Sequence, residues 1–219
     1  MIKPYYETKL GKLYHGDMLK VLPKLKTSSL ILTDPPYGIN IAKTGRVGGS
    51  VLALSKQHTP SEWDKQTPSR IAFELMRSKS IHQIIFGGNY FSNFLPPSPC
   101  WLVWDKDNGA NNFSDCELAF TSFSFAVRKI RWKWQGMLKE APEKVCHPTQ
   151  KPVGLFMLII EKYGQDSPTI LDPYLGSGTT AIACERIKKR WTGIEISEEY
   201  CEIAAKRIES EASQLKLWR

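Results

Sequence analysis

The most informative segment of this chain reads Thr169-Ile-Leu-Asp-Pro-Tyr-Leu-Gly-Ser-Gly-Thr-Thr-Ala181. Its apolar start predicts a buried strand, and the glycines that follow predict a tight turn leading into a helix over 179–189. Gly176, Gly178 and Ala181 fit the spacing G-x-G-x-x-G/A, which lets backbone approach a nucleotide closely. The segment therefore predicts a nucleotide-binding α/β domain, and by itself it fits a dinucleotide site equally well.

Acidic residues at three predicted strand ends suit an adenosine pocket. Asp172 ends the first strand, Glu195 lies seventeen residues beyond Gly178 at the end of the next, and Asp17 ends a short strand near the start of the chain. Glu195 can accept hydrogen bonds from both ribose hydroxyls, and Asp17 suits an adenine amino group. A carboxylate at Asp172 would repel a pyrophosphate but suits the ammonium and sulfonium of S-adenosylmethionine. Taken singly, each acid also fits a solvated strand end or, for Asp172, a helix N-terminal carboxylate.

A second motif, Asp34-Pro35-Pro36-Tyr37, follows an apolar run over 29–33. The double proline ends the predicted strand abruptly and leaves a carboxylate, a rigid carbonyl and an aromatic ring at its end, which faces the ligand crevice in an open α/β sheet. Asp34 and the Pro35 carbonyl can each accept one N–H of a planar exocyclic amine, while Tyr37 stacks on the base. Drawing both hydrogens toward acceptors makes the nitrogen more nucleophilic. The alternative is a simple strand-terminating turn.

Three motifs in this order resemble those of one family. The tetrapeptide precedes His147-Pro-Thr-Gln-Lys-Pro152, which in turn precedes Asp172-Pro-Tyr-Leu-Gly-Ser-Gly178. From Leu13 to Ile208 the chain is similar to the permuted, or β, subgroup of DNA amino-methyltransferases, in which the catalytic region comes before the cofactor region. The resemblance implies a Rossmann-like α/β methyltransferase fold, with a mixed sheet of about seven strands flanked by helices in circularly permuted order. It also implies S-adenosylmethionine as donor, and adenine N6 or cytosine N4 in DNA as acceptor.

The resemblance also assigns individual residues. Asp34, Pro35, Pro36 and Tyr37 would form the catalytic cluster, and the target base would have to leave the helix to reach them. An initial Asp rather than Ser is commoner among the N6-adenine enzymes, so adenine is favoured and cytosine N4 is the alternative. Thr149 and Lys151 would lie near the cofactor carboxylate, and the other cofactor-binding residues would be Asp17, Asp172, Tyr174, Gly176, Ser177, Gly178, Thr179 and Glu195.

The composition agrees with this interpretation. A length of 219 residues with 42% apolar content suits a single methyltransferase domain over 1–219. A formal charge of +8 favours a polyanionic partner such as DNA. Five cysteines without a C-x-x-C pair predict reduced thiols, a cytoplasmic location and no zinc site. The sequence has no apolar run of about 18 residues, so a membrane span is not expected.

Two stretches interrupt the alternation of strands and helices and are predicted to be DNA-facing insertions, over 38–68 and 105–145. Loops of such length in a compact domain are usually functional or disordered. In the second stretch Lys129, Arg131 and Lys133 alternate with mostly apolar neighbours. At strand period two these cations share one face and could contact DNA phosphates. A merely solvated strand face is the alternative.

Three other functions fit parts of the sequence. A nicotinamide-dependent oxidoreductase would explain the glycine turn and Glu195 but leaves the tetrapeptide without a task. A methyltransferase of protein glutamine or of RNA could use a similar amine-binding cluster, although the permuted order argues against the protein enzymes. A non-catalytic DNA-binding protein could keep the fold, but the intact Asp34, Tyr37 and Asp172 count against it. The resemblance also allows a homodimer, for which no sequence feature identifies an interface.

Overall fold

One mixed sheet of nine strands forms the centre of the computed structural model, which describes residues 2–39, 46–47, 56–57, 67–109, 114–135, 138–139 and 150–217. In spatial order the strands are β1 (Tyr6–Glu7), β2 (Gly11–His15), β13 (Arg190–Glu195), β12 (Thr169–Asp172), β3 (Ser28–Thr33), β6 (Ser80–Phe86), β8 (Cys116–Thr121), β7 (Trp101–Asp105) and β9 (Arg128–Arg131). All neighbouring strands are parallel except at the contacts of β1 and β8. Without the short edge strands β1 and β9, the sheet has the seven strands predicted.

Five α-helices connect and cover these strands. Helix α4 is shorter than predicted because Lys188 has a left-handed φ of 56°, which a continuing helix cannot contain. A 3-10 turn that includes Pro23 follows α1, where proline removes a helical donor. Among the described residues, none of the helices is both long and apolar enough to cross a membrane. The helices are α1 (Met18–Val21), α2 (Arg70–Ser78), α3 (Val153–Tyr163), α4 (Thr179–Arg186) and α5 (Glu198–Leu217).

The sheet is buried on both faces. Successive strand side chains point to opposite faces, so Leu30 and Leu32 pack into one core with residues of α3, α4 and α5. Ile31, between them, packs into a second core with residues of α1 and α2. The central strands can therefore be continuous apolar runs, as is typical of parallel sheets covered by helices on both sides.

The structure describes parts of both predicted insertions, whose contact with DNA stays a prediction. The stretch over 105–145 is not a simple insertion, because it contains β8 and β9 of the main sheet. It also contains a short antiparallel pair, β10 (Trp134–Gln135) with β11 (Leu138–Lys139). Within 38–68 the described part includes a second antiparallel pair, β4 (Arg46–Val47) with β5 (Lys56–Gln57). The sequence signal was weak at β8 and β9 because β8 contains the acid Glu117 and three of the four residues of β9 are basic, so neither is a continuous apolar run.

Candidate active site

The tetrapeptide predicted to be catalytic and the glycine-rich turn follow neighbouring parallel strands, β3 and β12. The chain leaves β12 through α4 toward β13 on one side, and leaves β3 through α2 toward β6 on the other. Such a switch point opens a crevice at the carboxyl ends of the strands. The Thr33 hydroxyl donates to Asp172 Oδ1 at 2.7 Å and joins the two segments directly. The motifs are thus brought together although the catalytic one comes first in the chain.

The glycine-rich turn has the backbone that a close ligand approach requires. Gly176 and Gly178 have φ values of 54° and 90°, which favour glycine. A Cβ built on Gly176 would meet nothing within 4 Å, whereas one on Gly178 would lie 3.1 Å from the Ala204 Cβ. Gly176 therefore borders open space that a bound nucleoside can enter, and Gly178 allows α4 to pack closely on α5.

The Asp172 carboxylate stabilises the glycine-rich turn through hydrogen bonds. It is 3% exposed and accepts hydrogen bonds from Thr33, from the Thr180 hydroxyl at 2.5 Å and from the Tyr174 N–H at 3.0 Å. Burial raises the pKa of Asp172 to about 6, although these donors oppose the shift. Asp172 is therefore a buried, hydrogen-bonded acid whose charge an adjacent cation would stabilise.

Two other predicted cofactor acids make local backbone hydrogen bonds. Glu195 accepts from the N–H groups of Gly176 and Ser197, both at 2.8 Å, and so fixes the glycine turn to the end of β13. Burial raises the pKa of Glu195, against the effect of these N–H groups. Asp17 accepts from the Leu19 N–H at 2.9 Å and caps α1. Their contacts with ribose and adenine stay predictions, since a carboxylate oxygen can accept more than one hydrogen bond.

Ser177 and Thr179 tie the turn to the segment that leads into α3. The Ser177 hydroxyl lies 3.4 Å from Gln150 Oε1 and accepts from Arg207 Nη1 at 2.9 Å. The Thr179 hydroxyl donates to the Lys151 carbonyl at 3.3 Å. Arg207, on α5, was not predicted from the sequence, because the charges of that helix follow an ordinary solvated pattern.

The structure places the Lys151 side chain beside the tetrapeptide, and its predicted position near the cofactor carboxylate stays a prediction. Its side chain is 5% exposed, and Nζ lies 2.6 Å from Asp34 Oδ2 and 3.1 Å from Glu117 Oε2. A buried ammonium needs acidic partners, and these two carboxylates supply them. Lys151 thus forms one buried cluster with Asp34 and Glu117. Thr149, the other residue assigned to the cofactor carboxylate, lies outside the described residues.

The Tyr37 side chain closes over the same cluster. Its hydroxyl donates to Asp34 Oδ1 at 2.5 Å, and its ring stacks on Tyr90 with centroids 4.9 Å apart. A Cβ at Gly87 would come within 2.2 Å of the ring, so the Tyr37 ring packs directly against the backbone of Gly87. Sequence analysis treated the Tyr37 ring as free to receive a base. In the structure one ring face is covered by Tyr90, whose side chain is half exposed.

Glu117 and Lys106 complete the cluster and were missed by sequence analysis. Lys106 Nζ lies 2.8 Å from Glu117 Oε1, on the side opposite Lys151. Although burial opposes it, attraction to Lys151 and Lys106 lowers the pKa of Glu117. With Asp34, the described residues of the cluster supply two carboxylates and two ammonium groups, so the formal charge of these four groups is zero. The only available signal was a single acid in the apolar sequence of β8.

The predicted basic face is present, but it is neutralised in part. Lys129 Nζ lies 3.2 Å from Asp105, while Arg131 and Lys133 lie 2.7 and 3.2 Å from Asp107. Three cations therefore share the surface with two acids. Because these pairs are solvent-exposed, each contributes little to stability.

Comparisons with known proteins give a consistent result. The sequence profile of the N6/N4 group, described as DNA methylase, matches residues 103–206. The chain is 30% identical to the type II methyltransferase M2.DpnII of Streptococcus pneumoniae, over 96% of this chain and 94% of that protein. It is 28% identical to the type II methyltransferase M2.LlaDCHI of Lactococcus lactis subsp. cremoris, over 97% and 94% of the two chains. The similarity therefore spans both motif regions.

Two solved structures share the fold. The complex of M1.HpyAVI with SAM matches with a TM-score of 0.58 at 21% identity, covering 90% of this chain and 100% of that one. The PvuII DNA methyltransferase, described as cytosine-N4-specific, matches with a TM-score of 0.59 at 15% identity, covering 97% and 94%. The predicted Rossmann-like methyltransferase fold is thus confirmed.

Proposed function

Because the chain belongs to the N6/N4 DNA methylase family, we propose that it transfers a methyl group from S-adenosylmethionine to N6 of adenine in DNA. The observation that supports this most is the Asp34 carboxylate, mostly buried at the crevice and joined through Thr33 and Asp172 to the glycine-rich turn. An amine-binding acid next to a nucleoside-binding turn is the arrangement that this reaction requires.

The proposed cofactor fits the residues that border the turn. Open space lies beside Gly176, and Asp172 and Glu195 place two buried acids at the adjacent strand ends. The Asp172 carboxylate would repel a pyrophosphate, which argues against the nicotinamide-dependent oxidoreductase. Asp17 would bind the adenine end, and Tyr174 would lie beside it. Bound S-adenosylmethionine supplies an electrophilic methyl group on a sulfonium.

The catalytic residues would prepare the acceptor nitrogen. Asp34 would accept one N–H of the amino group and the Pro35 carbonyl the other, with Pro36 keeping that carbonyl rigid. Both acceptors draw electron density toward nitrogen, so that its lone pair becomes available. As positive charge develops on the nitrogen, the nearby carboxylate stabilises it, which is the electrostatic contribution that enzymes use most. The Tyr37 ring would hold the base in place.

Adenine is proposed over cytosine because the tetrapeptide begins with Asp. Cytosine N4 is the second candidate, since the family includes N4 enzymes and the PvuII enzyme of the same fold is described as cytosine-N4-specific. The deciding experiment incubates the protein with labelled S-adenosylmethionine and mixed-sequence DNA, then digests the DNA and identifies the labelled nucleoside. We expect N6-methyl-2′-deoxyadenosine. Label in N4-methyl-2′-deoxycytidine would overturn the choice of base. DNA without any label would overturn the proposed activity.

Extrusion of the target base is a further expectation of this site. Inside a duplex, stacked neighbours keep Tyr37 from the base, and pairing directs the amino group away from Asp34. Extrusion costs a few kcal/mol, and less where pairing is already weak. We therefore expect DNA with the target adenine opposite an abasic site to bind about tenfold more tightly than paired DNA. Titrations of the two duplexes at one salt concentration measure this difference.

A fluorescent base provides the control for extrusion. A 2-aminopurine at the target position should brighten on binding, because its neighbours stop quenching it. If stacking on Tyr37 quenches it again, the Tyr37→Ala variant reveals the increase. Equal affinity for both duplexes, with no fluorescence response in either protein, would contradict extrusion.

The basic face is proposed to contact DNA phosphates. Replacing Lys129, Arg131 or Lys133 by Ala should weaken DNA binding and reduce the slope of log K against log salt by about one each. Lys206→Ala is the matched control, because Lys206 is an exposed lysine on α5 that is paired with Glu202. Slopes identical to that of the unmodified protein would mean that this face is only solvated. A single domain, a homodimer and a cytoplasmic location stay predictions.

A further inference from the structure

The Lys151 ammonium has an acceptor for each of its three hydrogens. Nζ lies 2.6 Å from Asp34 Oδ2, 3.1 Å from Glu117 Oε2 and 3.3 Å from the Tyr37 hydroxyl. Two of these partners belong to the tetrapeptide, and the third comes from β8. Lys151 therefore contacts the acid that would bind the target amine, and its own side chain is only 5% exposed.

The position of this ammonium is fixed by its surroundings. Nζ lies 5.3 Å from the centre of the Tyr37 ring and 5.6 Å from that of Phe86, both within the range of cation–π attraction. The Lys151 carbonyl accepts from the Thr179 hydroxyl, which anchors the backbone to the start of α4. Burial alone would lower the pKa of Lys151. Attraction to Asp34 and Glu117 outweighs burial and raises the pKa above its usual value, to about 12. The side chain is therefore a permanent cation at this point.

Asp34 faces charged or titratable groups from four directions. Tyr37 comes from its own segment, Lys151 from the segment leading into α3, Glu117 from β8 and Asp172 from β12. Among the described residues, Lys151 is the one cation in contact with Asp34, since Lys106 reaches Glu117 instead. Burial raises the pKa of Asp34, Lys151 opposes that increase and Glu117 adds to it.

We propose that Lys151 is a positioning residue for methyl transfer, which orients the Asp34 carboxylate and keeps it anionic so that it can accept an N–H of the target amine. The inference rests on the proposed function, because it assigns Lys151 a role through Asp34. A protonated carboxyl has one acceptor fewer and carries no charge to stabilise the cationic nitrogen. Glu117 has the opposite effect on Asp34 and in turn holds the other side of the Lys151 ammonium.

The test uses two substitutions with effects of opposite sign on the pH dependence of single-turnover methylation. Lys151→Gln removes the cation, so Asp34 protonates at higher pH. The acidic limb of the pH–rate profile, over which the rate falls as pH decreases, should therefore move to higher pH by about one to three units. Glu117→Gln removes a repelling anion, so the limb should move to lower pH. Shifts in opposite directions support the proposal. Shifts in the same direction, or a fall in rate at all pH values without a shift, overturn it.

Two controls separate this role from general packing. Lys151→Arg keeps the charge and should restore the position of the limb even where the rate stays low. Lys189→Met removes another lysine whose Nζ donates to three carbonyls, those of Gly164, Gln165 and Ser167, and contacts no acid in the described structure. This change should lower thermal stability and leave the limb in place.

A direct titration keeps the proposal falsifiable if a variant is inactive. In apo protein with ¹³C-labelled aspartate carboxyl groups, Asp34→Asn identifies the Asp34 signal. Its midpoint should rise in Lys151→Gln and fall in Glu117→Gln. If these midpoints do not move while Asp34→Ala still prevents methylation, the inference on Lys151 fails and the proposed function stands. If Asp34→Ala methylates normally, the proposed function itself fails.

Discussion

Asp34→Ala is expected to slow methyl transfer by about 100- to 1,000-fold, the cost of removing one transition-state partner from a buried site. Two effects add. The target amine loses its charged acceptor, and the cluster keeps Lys151 and Lys106 against Glu117 alone. The resulting positive balance repels the charge that develops on nitrogen. The single-turnover rate with saturating DNA and cofactor measures this change.

The dissociation constant for S-adenosylmethionine should change little in the same variant, because Asp34 is assigned to the amine. Glu202→Ala is the control, since Glu202 is an exposed acid paired with Lys206 on α5. Glu202→Ala should leave both the single-turnover rate and the dissociation constant for S-adenosylmethionine unchanged. Substantial methylation by Asp34→Ala would exclude the proposed catalytic mechanism.

Asp172→Ala is expected to raise the dissociation constant for S-adenosylmethionine by tenfold or more, with DNA affinity unchanged at fixed salt. The substitution removes a negative charge that suits the cationic cofactor, and it leaves the buried Thr33 and Thr180 hydroxyls without their acceptor. Each unsatisfied buried group costs about 1–3 kcal/mol, so the melting temperature should fall as well. Calorimetric titration of apo protein and thermal denaturation measure the two effects.

Asp172→Asn separates charge from shape, because it keeps the size of the side chain and removes the negative charge. The pKa of Asp172 is about 6, so its carboxylate becomes neutral as pH falls through that value. Affinity for the cationic cofactor should therefore decrease from pH 7 to pH 5 in the unmodified protein and depend less on pH in Asp172→Asn. Equal affinity in all three proteins at pH 7 would show that Asp172 acts on the turn alone.

The sequence predicted the elements whose signals are local. The apolar runs before Asp34 and Asp172 end abruptly in proline, so their strands and their common edge could be predicted. Helix α3 begins directly after Pro152, where a missing N–H costs little, and most of its residues are apolar. Glycines at 176 and 178 indicated the turn because no other residue adopts such φ values easily.

The contacts around Lys151 could not be predicted, because they depend on sheet order. Glu117 reaches the site only because β8 pairs antiparallel with β6. Strand β6 in turn pairs in parallel with β3, the strand that precedes Asp34. No spacing in the chain links residue 117 to residues 34 and 151. The stacking of Tyr90 on Tyr37 is likewise a long-range contact, made by the 3-10 turn Gly88–Phe91 after β6.

The Gly87 backbone lies directly against the Tyr37 ring, so the side chains that position 37 can accept depend on the residue at position 87. A Cβ at residue 87 would lie 2.2 Å from the Tyr37 ring, and the Gly87 N–H donates to the Leu118 carbonyl at 2.8 Å, which holds that backbone in place. Gly87 also has a left-handed φ of 69°, so any other residue there is strained even if the ring at 37 is made smaller. A combinatorial library should therefore keep glycine at 87 and vary position 37 among rings that fit over it.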